Sequence, residues 1–135
     1  MEKEKLKRIF EFLEEKENHK VPFIVKVKCE IPFTKEELNV KHNLNLIFSK
    51  ITSLPKGLKV GGDLYLQYSS IESLPKDLKV GGDLHLVHCE QLTSLPEGLE
   101  VEGYLNIRLM PLKEYTDKEL RDMIKPGFIK GKIVR

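Results

Sequence analysis

Three segments of this chain are near copies of one another. They are residues 51–70 (ITSLPKGLKVGGDLYLQYSS), 71–94 (IESLPKDLKVGGDLHLVHCEQLTS) and the stretch from Leu92 to Pro111 (LTSLPEGLEVEGYLNIRLMP). Laid on each other, they place valines at 60, 80 and 101, leucines at 64, 84 and 105, and prolines at 55, 75 and 96, so the period is 20 and then 21 residues. A single copy is too short to enclose a core, whereas stacked copies share one. A period of this length with apolar residues at fixed offsets predicts a repeat solenoid.

Within each copy the residue types assign the path. Proline fixes its own φ and pushes the leucine before it towards an extended conformation, so Leu-Pro marks the end of one face. Gly57, Asp77 and Gly98 follow two residues later, where a turn needs positive φ. Leu58, Val60, Leu64 and Leu66 alternate inward. Gly62, Gly82 and Gly103 share one register, which predicts a bend or a close approach of stacked backbones.

The pattern L-x-x-L-P-x-x-L-x-V-x-G-x-L-x-L resembles the short leucine-rich repeats of bacterial and phage proteins, and is similar to the LPX repeats of secreted bacterial effectors. The clear copies cover Ile51–Pro111. The resemblance implies a small parallel β stack and a module that binds other macromolecules without catalysis, such as a phage or mobile-element accessory protein acting on a host protein. It implies no cofactor.

The flanks read as caps of a single domain spanning residues 1–135, with an N-terminal cap at 1–33, repeats at 34–112 and a C-terminal cap at 113–135. Leu6, Ile9, Phe10 and Leu13 form one helical stripe within residues 2–17. Alternation from Val21 to Phe33 predicts a strand with Cys29 turned inward. Leu38, Val40, Leu44 and Leu46 align with Leu58, Val60, Leu64 and Leu66 as a worn first copy, and Thr34 with Glu37 has capping-box spacing. A second capping box at Thr116 and Glu119 predicts a helix at 117–124. Beyond it, Ile129, Gly131 and Ile133 match Val60, Gly62 and Leu64.

Composition limits the function classes. Charged residues make up 33% of the chain and the net charge is +2, too small to argue for nucleic acid. The repeats at 51–112 are acidic (five Lys/Arg against eight Asp/Glu), and residues 113–135 are basic (seven against four). MEKEKLKRIF has no apolar run, so it is not a secretory leader, and no stretch is apolar enough to span a membrane. Cys29 and Cys89 are sparse and far apart, which reads as two reduced thiols in a cytoplasmic protein.

Outward strand positions stack into columns: Asn43, Asp63, Asp83 and Tyr104; Asn45, Tyr65, His85 and Asn106; Ile47, Gln67, Val87 and Arg108. Tyrosine and arginine are frequent binding anchors, so the candidate protein-binding residues are Tyr65, Gln67, Asp83, His85 and Arg108. Asp63 and Asp83 read as a solvated ladder. His85, His88, Cys89 and Glu90 are dense in metal-capable groups, but alternation makes His85 and Cys89 diverge, so no metal site is expected. There is no phosphate loop, serine elbow or paired cysteine base, hence no catalytic residue. An alternative reading is nucleic-acid contact through Lys125, Lys130, Lys132 and Arg135.

Overall fold

A computed structural model describes residues 26–27 and 32–135. The helix expected at 2–17 and the placement of Cys29 lie outside the described residues. Among the described residues, ten strands of two residues each follow in chain order: β1 (Asn39–Val40), β2 (Leu44–Asn45), β3 (Lys59–Val60), β4 (Leu64–Tyr65), β5 (Lys79–Val80), β6 (Leu84–His85), β7 (Glu100–Val101), β8 (Leu105–Asn106), β9 (Phe128–Ile129) and β10 (Ile133–Val134). They build two parallel five-stranded sheets, ordered β1-β3-β5-β7-β9 and β10-β8-β6-β4-β2. The molecule is a parallel β-solenoid, and each rung contributes one strand to each sheet.

The registers are those of the repeat. Val40, Val60, Val80, Val101 and Ile129 stack in one sheet. Leu44, Leu64, Leu84, Leu105 and Ile133 stack in the other. Between the sheets lies a core of identical layers: Ile71, Leu74, Leu78, Val80, Leu84 and Leu86 of one rung are all buried, as are their counterparts at 51–66. The extra residue of the 21-residue copy is absorbed between Cys89 and Leu92, where the Leu92 N–H bonds the Cys89 carbonyl at 3.1 Å. The turn residues Gly57, Asp77 and Gly98 have φ of 83°, 62° and 80°, the left-handed conformation assigned from sequence.

Rungs are locked by a ladder of side chains as well as by the sheets. Asn43 Oδ1 accepts from the Asp63 N–H at 2.8 Å, Asp63 Oδ1 from the Asp83 N–H at 2.7 Å, and Asp83 Oδ1 from the Tyr104 N–H at 2.9 Å. The glycine register follows from this: a Cβ on Gly82 would lie 2.1 Å from Asp63 Oδ1. Asp63 and Asp83, expected as a solvated ladder, are therefore structural clasps between rungs.

Both capping boxes form. Thr34 caps α1 (Lys35–Leu38) and Thr116 caps α2 (Asp117–Met123), each bonding reciprocally with the glutamate three residues on. In α2, Leu120 is buried, as is Ile124 just beyond it, closing the core. The Arg121 guanidinium donates to the carbonyls of Ile129 and, at 3.0 Å, Gly131. One expectation fails: Lys26 and Val27, read as part of a strand, are helical. Lys26 is 2% exposed and Val27 packs against the core. Successive strand residues face opposite ways, whereas consecutive helical residues can both turn inward. Lys26 Nζ sits 2.6 Å from a Glu37 carboxylate oxygen, and Val27 meets the apolar layer.

Candidate binding face

The sheet containing β4, β6 and β8 brings Tyr65, His85 and Asn106 into one register. Tyr65 and His85 stack with centroids 4.8 Å apart and planes 8° from parallel, and Tyr104 meets His85 edge-on at 5.4 Å. The Tyr65 hydroxyl donates to Asp63 Oδ2 at 3.1 Å. This bond to a carboxylate, aided by partial burial, raises the Tyr65 pKa above the ordinary phenol value. Tyr65 is thus half-buried and bonded, not the freely solvated residue that alternation implied.

Asp83 and His85 lie on this face as expected, with ligand-capable atoms of Asp63, Asp83 and His85 within 4.8 Å of one another. Those three could hold a cation; the His85, His88, Cys89 and Glu90 set could not. Cys89 is buried, its thiol donating to the Leu66 carbonyl at 2.8 Å and lying 3.7 Å from Ser69 Oγ. Burial pushes that thiol's pKa up. His88 instead faces Glu90 at 3.3 Å. Arg108 is exposed, while Gln67 is half-buried and its Oε1 lies out of solvent with no hydrogen-bond partner among the described residues.

One residue beyond that column lies what the periodicity reading missed. Phe48, Tyr68, His88 and Leu109 occupy one offset in four successive rungs and turn a corner with φ of 60°, 57°, 60° and 56°. Their rings stack: Phe48 on Tyr68 at 5.0 Å, Tyr68 on His88 at 4.9 Å. Phe48, Tyr68 and Leu109 are 71%, 47% and 58% exposed, and are the large hydrophobic side chains left exposed among the described residues. Beside Leu109 opens a hollow of about 440 Å³ bordered by His88, Glu90, Pro111, Lys113 and Glu114. The signal was present: four bulky residues at one offset where a positive-φ corner favours Gly or Asn.

Three of the seven cations in the basic segment are ion-paired within the chain. Lys125 pairs with Asp122 at 2.9 Å, Lys130 with Glu102 at 2.5 Å and Arg135 with Asp117 at 2.5 Å. No helix of the described residues is long and apolar enough to cross a membrane. Compared with family models, curated proteins and solved structures, the chain has no match, so the leucine-rich-repeat resemblance rests on the repeat motif itself.

Proposed function

We propose that the protein is a non-catalytic protein-binding module whose contact surface is the aromatic corner together with the adjoining Tyr65–His85 column. The supporting observation is the corner itself. A bulky residue at positive φ costs on the order of 1–2 kcal/mol relative to glycine. Ring stacking returns about 0.5–1.5 kcal/mol per pair. A chain optimised for stability alone has little to gain from phenylalanine or tyrosine here, and exposing them adds apolar surface to water. Such a cost makes sense when the rings serve a contact. The rungs hold these side chains rigid, so a partner loses little rotational freedom to them.

Nucleic acid is the weaker reading. Base recognition uses open aromatic faces, but here the Tyr68 ring is stacked between Phe48 and His88. Three of the four cations that could neutralise phosphate, Lys125, Lys130 and Arg135, are paired with acids of the chain, which leaves Lys132.

Phe48→Asn with Tyr68→Asn is the decisive variant, because asparagine tolerates positive φ. It should leave thermal stability equal or higher and weaken capture of a protein partner from host lysate at least tenfold. Tyr65→Ala and Arg108→Ala should also weaken capture, whereas Lys56→Ala and Lys76→Ala, at another corner, should not. Capture that disappears with nuclease treatment and at high salt would favour nucleic acid instead.

A further inference from the structure

The same face holds two carboxylates that no cation among the described residues answers. Asp63 and Asp83 stand on adjacent rungs, half-buried, and each spends Oδ1 on the next rung's N–H. Several other acids are ion-paired, Glu97 with Lys76, Glu100 with Lys79, Glu102 with Lys130 and Asp117 with Arg135, whereas Asp63 and Asp83 are two adjacent half-buried carboxylates. Neither Asp63 nor Asp83 has an ion-pair partner among the described residues. Two uncompensated charges flanked by Tyr65, His85 and Tyr104 form a negative spot. The exposed Tyr68 lies three residues beyond Tyr65 on the same rung, within at most about 10 Å along the chain.

We propose that the partner docks a segment carrying an arginine that lies over Asp63 and Asp83, with an apolar side chain against Phe48 and Tyr68. This deepens the protein-binding reading and rests on it. Arginine fits because its planar, forked guanidinium can donate to both carboxylates at once while lying against aromatic rings, which a lysine ammonium does less well. A charge-assisted pair on a half-buried face also loses less to solvent than one on an open surface.

The test separates charge from ladder. Asn43 already performs the ladder bond in the first rung, so Asp63→Asn with Asp83→Asn removes two charges and keeps the clasp; the Tyr65 hydroxyl can then accept from the new amide. A random peptide library is selected against the full chain, and winners are titrated against the wild type, the D63N/D83N variant and the F48N/Y68N variant. The expected result is enrichment of arginine near an apolar residue, with at least tenfold weaker binding to each variant and an unchanged melting temperature for D63N/D83N. Peptides that need Phe48 and Tyr68 but show no arginine and ignore D63N/D83N overturn this inference and leave the protein-binding reading standing. Winners indifferent to both variants, or no winners, overturn both. A melting temperature raised by zinc or calcium chloride in the wild type but not in D63N/D83N assigns the carboxylates to a metal ion and also overturns it.

Discussion

Gly82 and Asp63 compete for one volume. The carboxylate that clasps the next rung stands where a Cβ on Gly82 would be, and the same holds for Gly62 with Asn43 and Gly103 with Asp83. Gly82→Ala should therefore cost roughly 1–3 kcal/mol by overpacking, and Asp63→Ala about 1 kcal/mol by losing a hydrogen bond. The double variant should cost clearly less than the sum, because deleting the carboxylate vacates the contested space. Rescue will be incomplete, since the Gly62 carbonyl carbon lies 3.0 Å from the same Cβ. Urea denaturation of the four proteins measures the coupling. Additivity within about 0.5 kcal/mol would mean that backbone, and not the clasp, fixes the glycine.

Among the elements, α1 carries the most concentrated electrostatic commitment. Glu37 answers its own cap, bonding the Thr34 N–H at 3.0 Å, and accepts from the buried Lys26 ammonium at 2.7 Å. Burial works to raise its pKa, but the bonds from Lys26 and Thr34 outweigh it and hold the carboxyl below its ordinary value. A lowered folded-state pKa gives stability that is present above the ordinary carboxyl range and lost as pH falls through it. Glu37→Ala should cost more than the about 1 kcal/mol of Thr34→Ala or Thr116→Ala, because it removes the carboxylate partner of a buried ammonium that keeps its bond to the Pro32 carbonyl, and should flatten the acid limb of a stability–pH curve. Equal costs for all three would reduce Glu37 to a cap. Both boxes were legible, because Thr-x-x-Glu is a local signal, and so were the Val and Leu registers, because a fixed period leaves them one arrangement. The pairing of Lys26 with Glu37 was not legible: alternation from Val21 to Phe33 describes a strand, and the two partners stand 11 positions apart with no local pattern to link them. The aromatic corner was missed because a two-residue period stops being informative where the backbone turns left-handed after Gln67.

For the whole molecule, identical layers imply shared fate. Leu84 is fully buried between the Leu64 and Leu105 layers. Leu84→Ala should cost about 2–5 kcal/mol and shift a single unfolding transition; a second transition would show that the rungs melt separately. The clasp has a further consequence for how such a chain can change length. Residues 53–66 and 73–86 differ only at Gly57/Asp77 and Tyr65/His85. Removing residues 61–80 joins Val60 to Gly81, sets Gly82 beside Asn43 and leaves every remaining bond with a partner of the right kind. A one-residue deletion between Asp63 and Gly82 shifts that glycine off its carboxylate unless a corner absorbs the change, as the turn between Cys89 and Leu92 absorbs one extra residue. A whole rung is therefore the change of length that needs no such adjustment. Because neighbouring rungs carry nearly the same residues at the same offsets, gain or loss of a whole rung changes the reach of the surface while leaving the fold's own bonds in place.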